Sequence, residues 1–93
     1  MQKNLHAFFS GSVQGVGFRY TTERIARHFE VTGYVRNLPD GRVEVFAEGG
    51  EQTLKDFLAA LREGPMKENI RDLDVEWGEA KGKYKSFGIA MEQ

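Results

Sequence analysis

Residues 13–19 read VQGVGFR, which sets Gly15 and Gly17 on either side of Val16 and puts Arg19 two residues further on. Glycine takes backbone shapes that other residues resist and lets a ligand approach bare amides. A glycine-rich turn that opens a helix exposes successive N–H groups at the positive end of the helix dipole, a setting that favours phosphate, sulfate or carboxylate. Arg19 can add a two-pronged, charge-assisted contact to a phosphate. Asn37, eighteen residues beyond Arg19, offers a neutral amide that can hold a water by accepting or donating. Each residue also has a plainer role. The glycines can simply permit a tight turn, Arg19 can be a solvated first-turn residue, and an asparagine before Pro-Asp-Gly can cap its own backbone. The pattern is not a P-loop, because no lysine followed by Ser or Thr is present, nor is it a full dinucleotide fingerprint. No obvious general base stands beside Asn37, so a substrate hydrolysed here must already be reactive or must supply its own base.

The elements that would position these residues follow from hydrophobic periodicity. Residues 5–13 alternate, with Leu5, Ala7, Phe9, Gly11 and Val13 on one face and His6, Phe8, Ser10 and Ser12 on the other, as in a half-buried strand. From Thr21 to Glu30 the period becomes helical, with Ile25, Ala26 and Phe29 inward, and Gly33 is expected to stop this helix. A second strand, Tyr34 to Asn37, runs into the Pro39-Asp40-Gly41 turn. A third, Arg42 to Glu48, places Val43, Val45 and Ala47 inward and Glu44, Phe46 and Glu48 outward, until Gly49 and Gly50 break it. Residues 51–63 form the clearest helix, with Leu54, Phe57, Leu58 and Leu61 on one stripe, ended by Gly64 and Pro65. Leu73, Val75 and Trp77 mark a fourth strand, with Asp72, Asp74 and Glu76 facing water; Phe87, Ile89 and Met91 mark a short fifth.

Strands with one apolar face each, interleaved with two helices, predict an α+β fold: a ferredoxin-like split βαβ sandwich, its sheet mainly antiparallel and its two helices on one face. In that topology the first and second strands run parallel with the third between them. The loop after the first strand and the end of the second then lie at the same sheet edge, roughly 10 Å apart. Gln14 to Arg19 can therefore face Asn37.

Ninety-three residues suggest a single domain spanning 1–93. A net charge of −1 argues against nonspecific nucleic-acid binding, and the absence of cysteine excludes disulfides, thiolate metal sites and cysteine nucleophiles. With only His6 and His28, a histidine metal site is not expected. The N-terminal residues carry no apolar stretch of signal-peptide or membrane-span length. A cytoplasmic, monomeric protein with no membrane or nucleic-acid partner is the resulting expectation.

GSVQGVGFR at 11–19 and GYVRNLPDGRVEVFAEG at 33–49 closely resemble the acylphosphatases, whose signature couples a G-x-V-Q-G-V-x-F-R loop to a G-x-V-x-N-x-x-D-G-x-V-E strand pair. EGP at 63–65 and FGI at 87–89 resemble later landmarks of that family, so the likeness covers essentially the whole chain. It implies hydrolysis of small acyl phosphates to a carboxylate and inorganic phosphate, with no metal and no cofactor. Carried onto these positions, Arg19 would bind the phosphoryl group with the backbone of Gly15, Val16, Gly17 and Phe18, Gln14 would help shape that turn, and Asn37 would orient the attacking water. Two positions depart from the family pattern: Glu68 replaces a commonly small residue, and the last strand lacks the arginine common after its isoleucine.

Two other readings come from the same fold class. Phe8, Tyr34 and Phe46 share the outer sheet face, where RNA-recognition motifs place stacking aromatics, but outward Glu44 and Glu48 would repel phosphates, and the outer aromatics can instead be packed by the tail or a partner. A binding-only anion sensor would keep the cradle without turnover; retention of both Arg19 and Asn37 favours an enzyme.

Overall fold

The computed structural model describes residues 2–91. Its elements are β1 (Gln2–Gly11), α1 (Phe18–Ala26), β2 (Thr32–Asn37), β3 (Val43–Gly50), α2 (Glu51–Glu63), a 3-10 turn (Lys67–Asn69), β4 (Ile70–Glu79) and β5 (Phe87–Ile89). The five strands form one sheet in the order β4-β1-β3-β2-β5. β3 pairs antiparallel with both β1 and β2, β1 pairs antiparallel with β4, and β5 lies parallel to β2. β1 and β2 consequently run the same way on either side of β3, and their C-terminal ends meet at one edge, as the pattern of strands required.

The core lies between the sheet and the helices. Leu5, Ala7 and Phe9 of β1, Val43, Val45 and Ala47 of β3, and Val35 of β2 are fully buried against Leu54 and Phe57 of α2. Burying a side chain the size of valine, leucine or phenylalanine contributes roughly 1.5–3 kcal/mol, so the alternation that reads out in the sequence is also what fixes strand register.

α1 departs from its expected span. It begins at Phe18, not Thr21, because Gly17 caps it in a left-handed conformation and Phe18 packs on Phe9 at 5.1 Å between ring centroids. It ends at Ala26, and Phe29 reaches Phe57 at 5.8 Å from beyond the helix. Gly33 does not stop a helix. It lies within β2 at φ +138°, where an added Cβ would sit 1.9 Å from the Phe46 carbonyl oxygen. Nor do Gly49 and Gly50 break β3, since they pair with Lys3 and Gln2; α2 follows directly, with Gly50 at its N-cap. β1 ends at Gly11 through a bulge against β4, so Val13 is buried outside the strand, and Met91 lies exposed beyond β5.

Glu44 and Glu48 face outward, yet they are not in water: only 4% and 5% of their surface is exposed. Residues 80–86 join β4 at one edge of the sheet to β5 at the other, and this segment covers part of the outer face. Glu48 accepts the amides of Lys81 at 2.7 Å and Gly82 at 2.9 Å. Glu44 accepts from Tyr34 Oη at 3.0 Å and Arg36 Nε at 2.5 Å, and His6 Nε2 lies 2.5 Å away. Tyr84 packs on Tyr34 and Phe46, so these two outer aromatics are partly covered by the chain itself and remain half-buried. Strand alternation assigns a face correctly but carries no information about what later crosses it.

Candidate active site

The loop between β1 and α1 begins from a braced base. Ser12 donates its amide to the Asn69 carbonyl at 3.0 Å, and Asn69 Nδ2 returns a bond to the Ser12 carbonyl at 2.9 Å. From there the chain turns through Gly15 at φ +77° and Gly17 at φ +84°, with exposed Val16 between them. A Cβ at either glycine would meet nothing within 4 Å. Glycine is therefore needed for the left-handed backbone and not for space. Successive turns of this kind draw neighbouring N–H groups towards one concave side.

The first backbone bond of α1 runs from Thr21 to the Gly17 carbonyl, and the amides of Gly15 to Phe18 make no backbone hydrogen bond among the described residues. No side chain caps the helix, and its first turn holds no acidic residue. Arg19, half-buried, is the second residue of α1. The loop thus combines open donors, the positive end of a helix and a guanidinium, which is the chemistry of an anion cradle.

Asn37 ends β2 at a position of the two-residue alternation that faces the core, in line with Gly33 and Val35, and it is 6% exposed. An amide at the inner face of a strand costs desolvation unless it is hydrogen-bonded, so it marks a change from packing to polar chemistry. The hairpin that follows is tight: the Leu38 amide donates to the Arg42 carbonyl at 2.8 Å, and the Gly41 amide to the Leu38 carbonyl at 3.1 Å. Asp40 accepts from the Arg42 amide and from Arg42 Nε, contacts that hold its carboxyl below the usual range.

Gln14 joins the two halves. Its Nε2 donates to the Leu38 carbonyl at 2.8 Å and to the Arg42 carbonyl at 2.9 Å. The structure therefore brings Gln14, Gly15, Val16, Gly17, Phe18 and Arg19 together with the hairpin that carries Asn37, while burying the Phe18 side chain in the core so that only its backbone is free to face a ligand. The tether to two backbone carbonyls and the brace from Asn69 had no signature in the sequence beyond residue types able to make them. Asn69 adjoins Glu68, so the segment that departs from the family pattern also buttresses the loop.

His6 is engaged with Glu44, and His28 is exposed just beyond α1. Among the described residues no group of three or more His, Asp or Glu side chains is placed to hold a metal ion. A groove of about 600 Å³ runs along Leu58, Ile70, Leu73 and Val75 between α2 and β4, away from the loop. An anion held by amides on an open turn does not require such depth.

Fold and loop define a small ferredoxin-like α+β protein with a glycine turn of open backbone amides at the head of its first helix. The acylphosphatase family model matches residues 5–89. An acylphosphatase of Archaeoglobus fulgidus is 49% identical over 86 residues, covering 92% of this chain and 96% of that protein, and one of Salinibacter ruber is 41% identical over 88 residues, covering 95% and 93%. The crystal structure of acylphosphatase from Bacillus subtilis superposes with a TM-score of 0.87 at 34% identity, covering 95% of this chain and 98% of the other. The chain belongs to the acylphosphatase family.

No helix among the described residues is long and apolar enough to cross a membrane.

Proposed function

We propose that this chain hydrolyses the carboxyl–phosphate bond of small acyl phosphates through the loop 14–19 and Asn37, giving a carboxylate and inorganic phosphate. The observation that carries the assignment of residues is the Gln14 tether, which ties a turn of open amides and Arg19 to the hairpin bearing Asn37. In this reading the amides of Gly15 to Phe18 and the Arg19 guanidinium hold the phosphoryl oxygens, and Asn37 orients a water in line with the bond to be broken. The water oxygen forms a bond to phosphorus while the phosphorus–oxygen bond to the acyl group breaks, and the electron pair leaves on the carboxylate.

A carboxylate is a good leaving group, so no general acid is required. A phosphoryl oxygen of the substrate can take the water's proton, which removes the need for a protein base. Catalysis then rests on positioning and on stabilising charge spread over the equatorial oxygens. The same reading takes residues 1–93 as one domain acting as a cytoplasmic monomer; the exposed large apolar side chains Val16, Tyr20, Trp77, Tyr84 and Met91 do not form one run of sequence. Light scattering tests the monomer against its mass of 10.6 kDa.

The deciding experiment is hydrolysis of benzoyl phosphate by the purified protein beside Arg19→Ala and Asn37→Ala. Both variants are expected to lose at least ~100-fold in kcat/KM, about 2.7 kcal/mol of transition-state stabilisation. A parent that binds phosphate without turnover would instead make the chain an anion-binding module.

A further inference from the structure

The outer face of the sheet carries a row of rings that the proposed reaction does not use. His6 of β1 is the register partner of Phe46 of β3, and Phe46 that of Tyr34 of β2. Phe46 stands edge-on to His6 at 5.6 Å and lies stacked with Tyr34 at 5.7 Å. Tyr84, from the segment that crosses this face, leans on Tyr34 at 5.6 Å and on Phe46 at 5.7 Å while remaining 38% exposed. These side chains line a cleft of about 240 Å³, and Lys81 and Lys83 contribute to its wall.

Charge sets the chemistry of this cleft. No carboxylate lines it. Glu44 and Glu48, whose outward direction argues from sequence against any phosphate here, are buried and spent on Tyr34, Arg36, His6 and the amides of Lys81 and Gly82. The nearest strand carboxylate in register is Glu76 of β4, beside His6 on the side away from Phe46 and Tyr34. Neither lysine ammonium lies at ion-pair distance from a carboxylate among the described residues, whereas Lys3, Arg27, Arg36, Arg42, Lys55, Lys67 and Arg71 do; Lys81 nevertheless acts on Glu48 through space and helps to hold its carboxyl below the ordinary value. A chain with net charge −1 thus gathers two cations beside a group of partly exposed rings.

Flat aromatic faces next to exposed lysines suit a ligand with a ring at one end and a phosphate at the other. We propose that this cleft binds a mononucleotide, its base against Tyr84, Phe46 and Tyr34 and its phosphate on Lys81 and Lys83. The site is separate from the catalytic loop. Tyr34 faces out where Val35 and Asn37 face the core, and His6 precedes the end of β1 by five residues, roughly 17 Å along the strand. The proposal stands whether or not the loop 14–19 hydrolyses acyl phosphates.

The test is an amide NMR titration of the full chain with AMP, adenosine and inorganic phosphate, repeated on Lys81→Gln/Lys83→Gln and on Tyr84→Ser. AMP is expected to shift resonances of residues 81–84, His6 and Phe46 saturably, and to bind at least ~10-fold more tightly than adenosine or phosphate at those residues. Both variants are expected to lose at least ~10-fold in AMP affinity at the cleft while hydrolysis of benzoyl phosphate is unchanged. Shifts confined to residues 14–19, or unchanged cleft affinity in the lysine variant, overturn the proposal. Inorganic phosphate matching AMP at the cleft overturns it as well, because the rings would then contribute nothing. A four-nucleotide RNA with AMP-like affinity supports a one-nucleotide site, whereas a gain above ~10-fold overturns that assignment in favour of a strand.

Discussion

Gln14 gives both hydrogens of its carboxamide nitrogen to one hairpin, to the Leu38 carbonyl at 2.8 Å and the Arg42 carbonyl at 2.9 Å. Leu38 is the residue after Asn37, so the loop that opens α1 and the strand end that carries Asn37 are joined by a single side chain. The Gln14 nitrogen is committed to the protein, which gives this residue a positioning role in the proposed site and leaves ligand contact to the backbone that follows it.

Gln14→Ala removes two hydrogen bonds of about 0.5–1.5 kcal/mol net each. Stability measured by urea unfolding is expected to fall by roughly 1–3 kcal/mol, and kcat/KM for benzoyl phosphate to fall with it. A double-mutant cycle separates positioning from general loosening: in an Asn37→Ala background the same substitution should cost much less activity. Full additivity of the two losses would remove the link between Gln14 and Asn37.

At Arg19 the conservative change is the informative one. A lysine keeps the charge but cannot grip two oxygens with a planar fork. Arg19→Lys is expected to retain folding, judged by circular dichroism, and to lose at least ~10-fold in kcat/KM, about 1.4 kcal/mol. Activity within ~2-fold of the parent would mean that a point charge suffices and that the two-pronged contact is not made.

Asn37 is assigned to the water and not to the phosphoryl group. Asn37→Ala should therefore lower kcat by at least ~100-fold while inhibition by inorganic phosphate stays within about 3-fold, a loss realised in the transition state alone. A parallel rise in the phosphate inhibition constant would instead place Asn37 among the anion ligands.

Two glycines separate backbone strain from steric exclusion. Gly17 has open space around it and φ +84°, so Gly17→Ala should cost only the left-handed penalty of roughly 1–2 kcal/mol, and Gly17→Asn less. Gly33→Ala would drive its Cβ to 1.9 Å from the Phe46 carbonyl oxygen, and it should destabilise by clearly more than Gly17→Ala in the same thermal melt. Equal melting temperatures would show that the β2–β3 contact can yield.

Glu48 gives the pH dependence. Burial alone would raise its pKa, but the amides of Lys81 and Gly82 outweigh burial and hold it below the ordinary glutamate value; Glu44 is lowered in the same way, burial being outweighed by His6, Arg36 and Tyr34. When the folded pKa lies below the unfolded one, the unfolded chain binds more protons in the interval between them, so stability falls as acid is added. The contribution is full above the unfolded value of about 4.3 and disappears as pH drops through the folded values. Melting temperature should therefore fall steeply below about pH 4, and Glu48→Gln should flatten that slope while lowering stability at neutral pH. A parallel slope in the variant would assign the acid sensitivity elsewhere.

Tyr34 reports on the same network from the alkaline side. Burial first and the adjacent Glu44 second push its hydroxyl up to about 12, so its ionisation, followed by ultraviolet absorbance, should come late, and Glu44→Gln should bring that ionisation down.

Much of this molecule is written in local patterns. The inward Leu5, Ala7 and Phe9, the inward Val43, Val45 and Ala47, and the Leu54–Leu61 stripe each state a face and a period; those periods mark the elements and imply β1 parallel to β2 with β3 between them, whereas the places of β4 beside β1 and β5 beside β2 appear only in the sheet itself. The positive-φ requirement at Gly15 and Gly17 is likewise a property of the residues themselves. What remained hidden depends on contacts between distant segments. Helix α1 starts at Phe18 because that ring finds Phe9, and Gly33 is a strand residue because the Phe46 backbone passes too close for a Cβ. The partners of Gln14, the brace from Asn69 and the burial of Glu44 and Glu48 are set by chain arriving 24, 57, 38 and 33 residues away in sequence. One-dimensional periodicity records which side of a strand a residue occupies; only the closed tertiary structure decides what is waiting there.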